Sequence, residues 1–489
     1  MSSVGINPKH EESLGSFLQA DRLSEWTWTL GYTAVLSMVS VARYNLWLAT
    51  GTNLGFYLQT LWLALHHAPF WTSSYGATGY GSPLIVMLLA PIYGIGGVGA
   101  VLVLQAFAFG VGYLLLRRIA QALGASHGWA HTVGTVYLLY PAVVGVNLLG
   151  LHQEAFELPL LFALVLVAVN ERWLSYTILV IVSALVGGTL PISLVGLGIV
   201  VMVRGRAKWG IVAMVLAAFV LLTNMALASH LTHGVLSPWI AADVWLSVAV
   251  EVGRHPELLW HWIVYPTAWE NLASITAPVI ALVAIGRRRL VSAWWIPVLL
   301  YLGPALMMSD SSSAADFSSL TLPALPFAFT GMLAAVSTPK VSGGRIRAVA
   351  VILSVVCLVI FVGPQITKEW VTRLPNNQTL VSSQAVVPAN APVVAQNLVI
   401  SHYVDREYAW LPSRAWTRTL PAGTYVVVDS AIAVPRAKSA ALMSTEYMGA
   451  LVQRRLATLV YSENHVLVYR IVEPVVPARQ IRLQGGGLR

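Results

Sequence analysis

The segment LGLHQEAFELP, residues 149–159, sets His152 and Glu154 two positions apart, directly before an apolar run. A carboxylate in the first turn of a helix is favoured by the positive end of the helix dipole. A His–carboxylate pair there can hold a divalent metal, a phosphate or a sugar hydroxyl, and the carboxylate can take a proton from an acceptor hydroxyl. The same residues also suit a plain helix start, with Glu154 in its first turn and His152 beside it. Candidate substrate-binding residues lie elsewhere. Arg43, Gln59, His66 and Tyr80 fall in or beside residues 42–93, a stretch rich in aromatics and glycine that carries no Lys, Arg, Asp or Glu after Arg43. Arg43 could grip a phosphate through bidentate contacts or reach the interface along its own stem. His66 and His67 are adjacent, so on a helix they diverge by about 100° and do not chelate one ion. Asp316, in SDSSSAADFSS, is a further binding candidate, or a helix cap.

The elements that must position these residues follow from composition. The chain is 57% hydrophobic and 10% charged, against about 25% charged in ordinary soluble domains. This excludes a soluble enzyme and indicates a multi-pass membrane protein. Apolar runs predict about eleven spans, at 29–49, 98–116, 132–147, 155–169, 174–186, 192–203, 209–228, 272–285, 294–308, 320–336 and 348–364. Residues 83–95 are too short to cross and read as interfacial or re-entrant. With the N-terminal tail (1–28) cytoplasmic, 14 Lys and Arg fall on the inside, and only Arg254 falls outside before the C-terminal region. That split fixes the expected orientation. It places the polar candidates on the outer side, around outer loops 50–97 and 230–271. The start of the chain lacks the basic, short apolar pattern of a cleaved signal peptide, so the first span is expected to act as an uncleaved anchor.

Residues 29–365 therefore form an all-α transmembrane domain, and 366–489 a small extracytoplasmic α+β domain. Strand-like runs are expected at 392–400, 424–428, 457–461 and 466–472. Cys357 is the one cysteine, which excludes an intrachain disulfide and a thiolate cluster. There is no phosphate loop, dinucleotide fingerprint or HExxH. The excess of basic residues belongs to cytoplasmic loops rather than to nucleic-acid binding.

NLGFYLQTLW, GSPLIVMLLAPIY, the helix bearing Gln105, YPAVVGVNLLGLHQEAFELPL and VPANAPVVAQNLVISHYVDREYAWLP together resemble the domain-of-unknown-function 2079 family of prokaryotic multi-pass membrane proteins, over about residues 40–430. That family is in turn similar to C-type glycosyltransferases, which take sugars from polyprenyl-phosphate carriers. The resemblance implies a membrane lipid partner of that kind. It also implies a catalytic position at Asn53, where Thr52-Asn53-Leu54-Gly55 stands for the family's Phe-Asp-Leu-Gly. Tyr80 stands where the family has His, and Gly188-Thr189-Leu190-Pro191 where it has a Lys-Glu-Asp cluster. The His152/Glu154 element is retained. Two readings follow: a sugar transferase using Glu154, His152 and Asn53, with a divalent metal as an allowed cofactor, or a non-catalytic relative that binds lipid, glycan or an envelope partner.

Overall fold

A computed structural model describes residues 8–48, 51–66, 82–186, 188–231, 254–255, 257, 292–307, 322–336, 344–373, 377–416, 418–432 and 438–477. It is mostly helical, with a small sheet near the C-terminus. The helices used below are α1 (Pro8–Asn45), α2 (Gly51–His66), α3 (Pro83–Ala122), α4 (His127–Leu138), α5 (Pro141–Leu149), α6 (Glu154–Val169), α7 (Trp173–Val186), α8 (Leu190–Val203), α9 (Ala207–Leu231), α10 (Trp295–Met307), α11 (Leu325–Val336) and α12 (Gly344–Arg373). They follow the apolar runs closely, and the expected span at 272–285 lies outside the described residues. Large apolar side chains face outward along them, among them Met38, Leu88, Ile95, Leu174, Phe219 and Val359, while Ser40, Arg43, Gln105, Asn147 and Glu157 are buried inside. That inversion suits a helix bundle whose solvent is lipid.

Four boundaries differ from the sequence reading, the last being α12, which runs on to Arg373 past the expected span end at 364. Residues 8–28 of the expected tail and residues 29–45 of the expected first span are one 38-residue helix, α1. The short run 83–95 and the span after it are also one helix, α3, broken in conformation at Gly97 (φ 62°, ψ −157°). Glycine alone adopts that geometry at little cost. The run 132–147 is split into α4 and α5, bent by 41°, because Pro141 has no N–H to continue the ladder. By length and composition, α3 and α12 carry windows able to cross a membrane, and the bent α4–α5 pair is a third.

Short turns make α6, α7, α8 and α9 run alternately up and down. The turns at Arg172 and at Arg204–Lys208 therefore share one end. Trp173 and Trp209 stack there 5.7 Å apart, with Arg204 over Trp294 and Arg206 over Trp173. The α5–α6 and α7–α8 turns share the opposite end.

The C-terminal domain follows α13 (Asn377–Val386). Its strands are β1 (Val393–Ala395), β2 (Ala409–Trp410), β3 (Tyr425–Asp429), β4 (Ala457–Glu463) and β5 (Val466–Ile471), in the order β2-β1-β3-β5-β4. β1 runs parallel to β2 and β3, and the rest is antiparallel. Asn464 and His465, both with positive φ, make the two-residue turn between β4 and β5, the geometry such hairpins favour. Alternation along the strands divides the sheet faces. Val393, Ala395, Val427 and Val468 join the core of the helical bundle. Val394, Val426, Val428 and Ile471 pack with Leu442 and with Met448 of α14 (Thr445–Gln453) in a second core. The expected strands at 424–428, 457–461 and 466–472 are present. The run 392–400 is only three residues of strand before a 3₁₀ turn at Ile400–His402.

Candidate functional site

The last turn of α5 leaves carbonyls without helical partners, and side chains of α1 supply donors. Arg43 Nε donates to the Leu148 carbonyl and Nη2 to that of Leu48, each at 3.0 Å. Ser40 donates to the Asn147 carbonyl at 2.9 Å. Gln105, from the middle of α3, then clamps the backbone beyond α5. Its amide nitrogen donates to the Gly150 carbonyl at 2.9 Å, and its oxygen accepts the His152 N–H at 2.8 Å. These buried bonds set the path of the chain into α6.

At that point Glu154 and Glu157 occupy the first turn of α6, three apart and hence on one face. His152 Nδ1 lies 4.0 Å from Glu154 Oε2. Glu157 is fully buried. Its Oε2 accepts a hydrogen bond from Thr189 Oγ1, in the α7–α8 turn. Tyr301 of α10 donates to the Thr189 carbonyl at 3.0 Å and meets Ser193 Oγ of α8 at 2.6 Å. Gln153 Oε1 accepts the Ser82 N–H at 2.7 Å, while Ser82 Oγ donates to the Val186 carbonyl. The start of α3, the start of α6, the α7–α8 turn and α10 thus meet in one buried polar cluster. It stands at the end of the bundle opposite the Arg204–Lys208 turn. Among the described residues no group of three or more His, Cys, Asp or Glu could hold a metal ion.

The candidates read from sequence are distributed as follows. His152 and Glu154 stand together. Arg43 is buried and donates to the turn that leads to them. Gln59, buried in α2, donates to the carbonyls of Arg406 and Glu407 at 3.3 Å and so joins α2 to the C-terminal domain. His66 is exposed, with Nδ1 2.8 Å from the Trp62 carbonyl and its ring stacked on Trp62. Tyr80 and Asp316 lie outside the described residues, as does the side chain of Asn53. The sequence alone does not pair Glu157 with Thr189. The Gly-Thr-Leu-Pro turn following an apolar run was the one available signal.

The C-terminal domain meets the bundle beside the Arg43 corner. His402 is stacked between Tyr44 (4.3 Å) and Trp47 (3.7 Å). Gly55 of α2 lies against the backbone of Ser401, and the Tyr93 hydroxyl donates to Asp405.

The bundle, its buried polar cluster and the docked C-terminal domain define a polytopic membrane protein with one small appended α/β domain. The chain belongs to the family described as predicted membrane protein (DUF2079), whose model matches residues 43–454. No curated protein matches it. Among solved structures, it is similar to ArnT from Cupriavidus metallidurans in the apo state, with 13% identity and a TM-score of 0.47 over 90% of this chain and 98% of that one. It is also similar to the arabinofuranosyltransferase AftD from Mycobacteria, with 13% identity and a TM-score of 0.44 over 91% of this chain and 41% of that one.

Proposed function

We propose that this protein is a membrane glycosyltransferase that takes a sugar from a polyprenyl-phosphate carrier at the outer face. The observation that supports this best is the Glu154 carboxylate beside His152 at the start of α6, at the bundle end opposite the basic turns. In this reading about eleven spans cross the membrane, the N-terminus is cytoplasmic and the C-terminal domain is extracytoplasmic. Glu154, nearer the surface than Glu157, is the base. It takes the proton of the acceptor hydroxyl as that oxygen attacks the anomeric carbon, and the bond from that carbon to the carrier phosphate breaks with its electrons leaving on the phosphate. His152 orients Glu154 or meets the phosphate. Arg43 serves the site by holding the α5–α6 turn. Removing such a base costs about 10²–10⁴ in rate.

A non-catalytic relative that binds lipid, glycan or an envelope partner is the second reading, favoured by Asn53 standing where the family has an acid. One experiment separates the two. The protein is purified in mild detergent, co-purifying lipids are read by mass spectrometry, and sugar transfer from polyprenyl-phosphate donors is assayed in wild type and Glu154→Gln. The transferase reading expects a carrier lipid in both and transfer lost only in the variant. Transfer unchanged in Glu154→Gln overturns Glu154 as the base; bulk phospholipid alone with no transfer overturns the transferase reading.

A further inference from the structure

Glu157 has a close packing partner that its position in α6 does not reveal. Its Oε1 is buried and has no hydrogen-bond partner among the described residues. It lies against the Cα of Gly188, so that a Cβ at residue 188 would fall on Oε1 and 2.7 Å from Gln153 Nε2. Gly188 also has φ +62°, in the left-handed region that favours glycine whatever the space around it. On the other side, Thr189 holds Oε2. The carboxylate is thus keyed into the α7–α8 turn, and Gln153, its neighbour over Gly188, carries the Ser82 backbone. The residue between Gln153 and the rest of α6 is Glu154.

We infer, building on the transferase reading, that Glu157 is a positioning residue: keyed against Gly188 and Thr189, it fixes the α7–α8 turn and Gln153 and thereby sets where Glu154 points. Its role is geometric. A glutamine can accept the same Thr189 hydrogen bond at the same volume, whereas an alanine at 157 or a methyl group at 188 cannot preserve the fit.

The test uses the full-length protein in nanodiscs with Glu157→Gln, Glu157→Ala, Gly188→Ala and the Glu157→Ala/Gly188→Ala double variant. Hydrogen exchange of the Ser193 amide, which donates to the Thr189 carbonyl, and of the amides that follow it in α8 is read beside the transfer kinetics. Glu157→Gln should keep wild-type protection and a kcat within about threefold. Glu157→Ala and Gly188→Ala should each lose protection and lower kcat at least tenfold with KM little changed, and the double variant should be no worse than either single one, as expected for residues acting as a unit. Gly188→Ala and Glu157→Gln keep the comparison decisive if Glu157→Ala does not fold. The inference is overturned if Glu157→Gln is as inactive as Glu157→Ala while the amides stay protected, because the charge itself then does the work. Wild-type exchange in Gly188→Ala overturns it too. If wild type transfers no sugar, the transferase reading fails by itself and the exchange measurements still decide the keying.

Discussion

His402 lies face to face with Trp47, ring centroids 3.7 Å apart and planes 16° from parallel, and Tyr44 covers its other face. A histidine from the C-terminal domain thereby closes the corner between α1 and α2. Burial pushes its imidazole down to about 3, against a backbone hydrogen bond with Tyr44 that favours the charged form. The folded state holds this ring neutral, while the unfolded chain takes up a proton near pH 6.5. The stacked ring's contribution is therefore complete above about pH 6.5 and declines as pH falls from there toward about 3. Thermal midpoints measured from pH 7.5 to 4.5 should drop, and His402→Phe, which keeps the stack, should flatten that dependence. An equally steep curve in the variant would assign the effect to other groups.

Gln59 and Tyr93 bind the same segment by its backbone and by Asp405. Gln59→Ala and Tyr93→Phe should each cost about 1 kcal/mol and expose Arg406, which is buried in the folded protein. Trypsin cleavage after Arg406 should accelerate in both variants and more in the double one. Unchanged cleavage would show that apolar packing alone docks the domain.

Arg117 is fully buried and its Nη1 lies 3.5 Å from Glu25 Oε1, with Nη2 3.2 Å from His127 Nε2. Removing one member of a buried ion pair leaves the other charge uncompensated, at about 3–5 kcal/mol. Glu25→Ala should lower the thermal midpoint strongly, and adding Arg117→Met should recover part of the loss. A midpoint unchanged in Glu25→Ala would show that Arg117 is held by its other neighbours.

Reporter fusions test the proposed orientation. A fusion after Arg118 should report the cytoplasm, and one after Arg373 the outside. The opposite pair of results would invert the assignment of Glu154 to the outer face.

The helices were largely legible from apolar runs broken by Gly, Pro and basic turns, and α6 to α9 begin and end within a few residues of expectation. Local patterning also marked His152 and Glu154, because a helix start leaves a signature of its own. It did not show that Pro8–Asn45 is one helix, since the acidic and basic residues before Thr29 interrupt the apolar run but not the backbone ladder. Nor did it show what Gln59 or Glu157 touch. Gln59 reads as a polar residue on an apolar segment, and its partners are carbonyls of the distant Arg406–Glu407 segment. Such pairings depend on how the chain folds back, which neither period nor propensity records. β2 was invisible for the same reason: two residues, Ala409 and Trp410, become a strand only because β1 lies beside them.

The stack of Tyr44, His402 and Trp47 also imposes an order in time. Its first and last members are separated by roughly 350 residues, which at ~5–20 residues per second takes about 20–70 s to synthesise. During that interval the α1–α2 corner, including Trp47 with its left-handed backbone (φ 58°), stands uncovered. The corner becomes complete only when the segment around His402 emerges and reaches it. The helical bundle is thus not a finished module awaiting an accessory domain, and a chain ending before residue 400 would present that uncovered corner to the quality-control machinery of the cell.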